Sequence, residues 1–93
     1  MKIRLSKNAE KSLGKIFDHT KAHFSEDLAI EVLNELSAAI HKLAEFPRLG
    51  NPINKDPLRR KLVVRGNTVA YEIVIAKDPF IVIRNVIPRK TKS

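Results

Sequence analysis

The sequence predicts an α+β fold of order β-α-α-β-β-β, in which an antiparallel sheet packs against an N-terminal helical hairpin. Three observations predict it. Two segments of helical periodicity each follow a serine in the N-cap position, a connection holding three prolines comes next, and the second half carries three strand-like runs separated by turn residues.

Lys2 to Leu5 alternates polar and apolar residues, with Ile3 and Leu5 on one side, and reads as a short strand. Ser6 caps a first helix carrying Ala9, Leu13, Ile16 and Phe17 at helical spacing, with its end expected between Thr20 and His23. Ser25 caps the second helix, and Glu26 and Asp27 complement the positive end of its dipole. Leu28, Val32, Leu36, Ala39, Ile40 and Leu43 form its apolar stripe, and Pro47 sets the expected stop. The segment 47–57 is expected to be a loop. Arg60 to Arg65 then alternates Leu62 and Val64 against Lys61, Val63 and Arg65, and Gly66-Asn67 reads as a hairpin turn. Thr68 to Ala76 places Val69, Tyr71, Ile73 and Ile75 on one face. Phe80 to Ile87 is apolar on both faces, apart from Arg84 and Asn85, as a central strand would be. Arg89 to Ser93 reads as a frayed basic tail.

Length and composition narrow the function. Ninety-three residues make one domain, 1–93, with a core too small to supply more than a few kcal/mol of stability. The absence of cysteine excludes disulfides and thiolate metal sites. His19 and His23 stand four apart on one helix but lack an evident third ligand, so no metal is expected. The chain shows no phosphate-cradling glycine loop, and no cofactor is expected. Neither a signal peptide nor a membrane span is legible, which places the protein in the cytoplasm with no membrane partner.

Charge is distributed unevenly. Residues 1–50 carry eight Lys/Arg against seven Asp/Glu, whereas residues 51–93 carry ten against three. Nearly all of the net charge of +8 therefore sits in the second half, a pattern suited to a polyanion or an acidic protein partner. Arg59, Arg60, Lys61, Arg65, Arg84, Arg89 and Lys90 are the candidate target-binding residues. Each also has an ordinary structural reading. The row from Arg59 to Arg65 can deter edge pairing, and Arg84 can pair with Glu72.

Four stretches, taken in order, resemble the RelE/ParE toxin superfamily of bacterial type II toxin–antitoxin systems. They are Ile3-Arg4-Leu5-Ser6 through Ala9-Glu10 and Leu13; Leu43-Ala44-Glu45-Phe46-Pro47-Arg48-Leu49-Gly50 with Pro52; Leu58-Arg59-Arg60 leading into Leu62-Val63-Val64; and Val69 to Ile73 followed by Ile81 to Val86. The second is the most specific and looks like the close of the second helix in ParE-like members. The resemblance spans essentially the whole chain. It implies a toxin neutralised by an acidic cognate antitoxin that wraps it, with operator DNA bound only through the antitoxin complex.

Within the superfamily, ParE-like members poison DNA gyrase, and RelE-like members cleave mRNA at the ribosome. Cleavage through the 2′-hydroxyl needs a base, an acid and cations around the phosphate. Arg60 or Lys61, with Arg65, supplies cations, and Arg65, Tyr71 and Arg89 are the catalytic candidates. The RelE-type set is nevertheless incomplete: Thr68 stands where its third-strand arginine is expected, and no Tyr or His follows Arg89. All three histidines are assigned to the helices, away from the sheet. The ParE-like reading is favoured, and an enzymatic role is not required. The alternatives are a RelE-like ribosome-dependent mRNA endoribonuclease and a non-toxic basic module that binds protein or nucleic acid.

Overall fold

The computed structural model describes residues 1–90. Its elements are β1 (Lys2–Leu5), α1 (Lys7–His23), α2 (Glu26–Lys42), β2 (Asn51–Ile53), β3 (Asp56–Val64), β4 (Asn67–Val74) and β5 (Phe80–Ile87). The α+β order matches the expectation from sequence, with one short strand added. The five strands form a sheet of order β1-β5-β4-β3-β2. β5 lies second from one edge, which explains its apolar character on both faces.

The sheet is mixed, not wholly antiparallel. β2 through β5 pair antiparallel, whereas β1 runs parallel to β5 with Ile3 opposite Ile81. The helical hairpin together with β2, β3 and β4 supplies the long connection between this parallel pair, because a tight turn cannot return the chain in the same direction.

Both serine caps form as the sequence predicts. Ser6 Oγ accepts from the Ala9 amide at 3.1 Å, and Ser25 Oγ accepts from the Leu28 amide at 3.1 Å. Ser6 does more. Its hydroxyl donates to the Arg84 carbonyl at 2.8 Å, and its amide donates to Ile83 at 3.0 Å, so the start of α1 is tied to the sheet.

That junction coincides with a bulge in β5. Ala70 faces Asn85 but Tyr71 faces Ile83, so Arg84 is an extra residue in the ladder. The bulge resets the alternation, which lets Ile83 and Val86 both point into the core at a spacing of three. Asn85 closes the irregularity by accepting from the Ser12 hydroxyl at 2.8 Å and from the Val86 amide at 2.9 Å. The two polar residues that interrupt β5 are thus the bulge itself.

The core joins Ala9 and Ile16 of α1, Leu36 and Ile40 of α2, Leu43, and the inward residues Val69, Tyr71, Ile73, Ile81, Ile83 and Val86. Each fully buried large aliphatic side chain contributes roughly 1.5–3 kcal/mol. β4 ends at Val74, so Ile75 does not join the inward row and stands 70% exposed. α2 stops at Lys42, short of Pro47, and the chain continues through tighter bonds such as Leu43 N to Ile40 O and Ala44 N to His41 O. β3 and β4 turn at Arg65-Gly66, one residue earlier than expected, with both residues at positive φ (51° and 82°) as a type I′ hairpin demands. β2 falls inside the expected loop, and Asn54-Lys55 makes a second such turn at φ 51° and 64°.

The double duty of Ser6 gives a comparison. Ser6→Ala should cost about 1–2 kcal/mol and Ser25→Ala about 0.5–1 kcal/mol in denaturant unfolding, since only the first also loses a tie to the sheet.

Candidate functional site

The predicted basic residues separate into three environments. The first is internal. Arg60 shares the inward parity of Leu58 and Leu62 and is only 7% exposed. Its Nε donates to the Pro57 carbonyl at 2.7 Å, and its Nη1 donates to Gly50 at 2.8 Å and to Arg48 at 3.4 Å. The expected target-facing row Arg59-Arg60-Lys61 is therefore broken at Arg60, whose donors hold the chain that follows α2. The parity with Leu62 was the available signal.

Tyr71 lies beside it, opposite Arg60 in the β3–β4 ladder. Its hydroxyl donates to the Pro47 carbonyl at 2.7 Å and accepts from the Gly50 amide at 2.9 Å. Burial pushes its pKa above the ordinary 10.0, opposed by the Gly50 hydrogen bond and by the nearby Arg60 cation. The hydroxyl is engaged both as donor and as acceptor and the residue is 1% exposed, so Tyr71 braces the loop. Gly50 fits the same constraint: a Cβ there would stand 2.6 Å from the Lys61 carbonyl oxygen and 2.9 Å from the Tyr71 ring. The Pro47–Gly50 stretch is short because it must pass under this ring.

The second environment is a groove of about 1150 Å³ between the hairpin and the β3–β4 end of the sheet. Ile16, Phe24, Leu28 and Val32 make it apolar, with Phe24 67% exposed. Lys15, His19, Arg65, Arg89 and Lys90 bring the polar and charged groups. His19 thus meets the sheet end, contrary to the expectation that the histidines lie away from it. Its ring and that of His23 are 4.2 Å apart between centroids. Among the described residues no group of three His, Cys, Asp or Glu comes together as metal ligands would.

Two features fix the rim. Arg65 occupies the left-handed region and reaches back to α2, with Nε 2.9 Å from Glu35 and Nη2 3.8 Å from Glu31. These are exposed pairs, worth at most about 1 kcal/mol, so they are readily exchanged for another carboxylate. Arg89 is anchored through its amide to Asn67 Oδ1 at 2.9 Å, and its side chain lies over Gly66, where a Cβ would be 2.8 Å from Cδ. Arg89 is therefore held in place, unlike the frayed residue expected. The remainder of the predicted tail, 91–93, lies outside the described residues.

The third environment is the sheet face away from the helices, where Arg59, Lys61 and Arg84 are exposed. Arg84 pairs there with Glu72 through Nη2 at 2.8 Å and Nε at 3.1 Å, the structural partner anticipated from sequence. The catalytic candidates do not converge: Arg65 and Arg89 line the groove, and Tyr71 is closed off beneath the loop.

Fold and groove together define a small, basic α+β protein whose main cleft has the character of a polypeptide-binding site, apolar within and cationic at its rim. The sequence profile of the ParE toxin of type II toxin–antitoxin system, parDE, matches residues 3–92, and the chain belongs to this family of toxins. A similar solved structure is that of the chromosomal ParDE toxin–antitoxin system from P. aeruginosa, with a TM-score of 0.77 at 16% identity over 97% of each chain. None of the curated proteins matches the chain. Among the described residues, no helix is long and apolar enough to cross a membrane.

The brace is testable by substitution. Tyr71→Phe leaves the Gly50 amide and the Pro47 carbonyl unpaired and should cost about 1–3 kcal/mol. Gly50→Ala should cost a similar amount, about 1–3 kcal/mol, because the atom it meets is backbone. A raised folded pKa means that the contribution of Tyr71 is complete below pH 10 and declines as pH rises through the folded value. The stability difference between wild type and Tyr71→Phe should accordingly shrink above pH 10 in paired denaturant titrations.

Proposed function

We propose that this toxin acts in the cytoplasm by inhibiting DNA gyrase, and that its cognate antitoxin neutralises it by laying an acidic, amphipathic segment in the groove. The observation that carries the second half is the pairing of exposed Phe24 and half-buried Leu28 and Val32 with Arg65, Arg89 and Lys90 in one cleft. Apolar anchors supply the affinity of such an interface, and the cationic rim steers an acidic segment into register. Glu35 and Glu31 already place carboxylates on Arg65 from within the chain, the chemistry that a partner's acids would reproduce. The gyrase reading is supported by membership of the ParE family and by the absence of a converged RelE-type set around Tyr71.

An mRNA-cleaving activity is the second reading. What favours it is the presence of His19, Lys15, Arg65 and Arg89 along one groove, a potential base among cations. The apolar floor and the lack of a tyrosine in that cleft weigh against it.

Induced expression without a partner separates the two. Growth arrest with altered plasmid supercoiling or DNA breaks, and with intact mRNA, is the expected result. Arrest with codon-positioned mRNA cuts would instead assign nuclease chemistry to the groove, and absence of arrest at confirmed soluble expression would reduce the chain to a binding module. For neutralisation, Arg65→Glu with Arg89→Glu should weaken the antitoxin complex by about tenfold or more and flatten its salt dependence. Affinity indifferent to both substitution and salt would remove the electrostatic half of the proposal.

A further inference from the structure

Among the described residues no element covers the face of the sheet opposite the hairpin, and the charges on that face are mostly of one sign. Inward residues of β3, β4 and β5 are Leu58, Arg60 and Leu62, then Val69, Tyr71 and Ile73, then Ile81 and Ile83. Their alternates point outward. In β1, Lys2 and Arg4 stand opposite Phe80 and Val82, and the Arg4 guanidinium lies 4.4 Å above the Phe80 ring centre. In β3, Arg59 and Lys61 stand opposite Glu72 and Ala70. Arg84 joins this face through its ion pair with Glu72. The outward set thus holds five cations against a single carboxylate, and that carboxylate is already paired.

We propose that this open sheet face binds the phosphate backbone of duplex DNA, independently of the groove. No residue of the groove belongs to it, so it stays accessible while the groove is filled. The cations form two files across the face: Lys2 and Arg4 on the edge strand β1, and Arg59 and Lys61 on β3, three strand spacings away. At about 4.8 Å per spacing they stand about 14 Å apart, comparable with the roughly 12 Å width of the major groove. Within each of these strands the two cations are separated by two residues, roughly 7 Å, so that each strand presents a short file of positive charge.

The nature of the partner follows from what the face lacks. Single-stranded nucleic acid is held largely by bases stacked on exposed aromatics. Here the one aromatic, Phe80, is half-buried and already covered by Arg4. A protein partner draws its affinity from anchors set in pockets. The cleft that provides them lies on the helical side of the molecule, and the outward face offers cations spread over three strands, β1, β3 and β5. Duplex DNA needs neither stacking nor pockets, and its dense phosphates reward dispersed cations through counterion release. Recognition would be independent of sequence, because no side chain on the face is committed to reading base edges. The toxin would then touch DNA itself, in contrast to the expectation that DNA is reached only through the antitoxin complex.

The test is fluorescence anisotropy of the purified chain with a labelled 24-base-pair duplex of arbitrary sequence across a salt series. Parallel titrations use the corresponding single strand and a poly-glutamate competitor. The duplex is expected to bind with a log–log salt slope of roughly −4. Arg59→Glu with Lys61→Glu should lower affinity at least about tenfold and flatten the slope by roughly 2. Lys11→Glu with Lys21→Glu makes the same change in net charge on the exposed surface of α1, and should change affinity less than about threefold. Circular dichroism confirms that each variant is folded. Equal losses in the two double variants would reduce the effect to overall charge and overturn the proposal. So would undetectable duplex binding at low salt, tighter binding of the single strand, or displacement of the duplex by poly-glutamate at equal charge.

Discussion

The geometry of this protein depends on how the chain leaves α2 and enters the sheet. That stretch, Leu43 to Gly50, is closed by backbone turns as far as Leu49, and two side chains of the sheet bond its far end. Tyr71 takes the Pro47 carbonyl and the Gly50 amide, and Arg60 takes the Gly50, Arg48 and Pro57 carbonyls. The N-terminal ammonium adds a bond to Ala44 at 3.1 Å, so the residue that leads into the edge strand β1 holds the same loop as β3 and β4 do. Burying an arginine is costly unless its donors are satisfied, and here the loop carbonyls satisfy them. Two residues of the distinctive stretch Phe46-Pro47-Arg48-Leu49-Gly50 are thereby explained: proline keeps it out of a helix, and glycine admits the tyrosine ring.

With that end fixed, and with Ser6 and Asn85 fixing α1 over β5, the hairpin is held to the sheet at one end and along one helix. Toward the α1–α2 turn the hairpin overhangs the β3–β4 hairpin, and the apolar stripe of α2 is incompletely covered there. The groove is that uncovered part. Its apolar residues, Leu28 and Val32, belong to the same stripe that buries Leu36 and Ile40 further along. A small core that leaves part of its apolar surface exposed is poised to gain stability from a partner, because whatever binds only the folded chain stabilises it.

Much of this was legible in the sequence, and the misses have physical causes. Both helices and their serine caps were readable because capping and periodicity are local. β5 was readable because its run of apolar residues is uninterrupted except at Arg84-Asn85. That interruption was visible, but its meaning as a bulge depends on the register with β4. The parallel pairing of β1 and the existence of β2 depend on contacts distant in sequence, and Pro52 disguises a strand that sits at the edge, where a proline is tolerated. Arg65-Gly66 was missed as the turn because a non-glycine at positive φ is not the usual choice. Arg60 was misplaced through its neighbours: in a row of three basic residues, strand parity separates the inward one, and composition does not. Tyr71 was correctly read as an inward residue, yet its partners could be known only once the loop was in place. Arg65, Arg89 and His19 are far apart in sequence, and only the fold brings them to one groove.

The proposed division of one basic protein into two working surfaces, a groove for an acidic segment and a sheet face free of it, is most directly tested by amide hydrogen exchange on the toxin alone and in complex with its antitoxin. The groove account predicts added protection in the second half of α1, the start of α2, the Arg65-Gly66 turn and the Arg89 amide, with β1 and the outward residues of β3 unchanged. Protection concentrated on β1 and the outward residues of β3, with the hairpin and the Arg65 turn unaltered, would contradict it and move the partner to the opposite face.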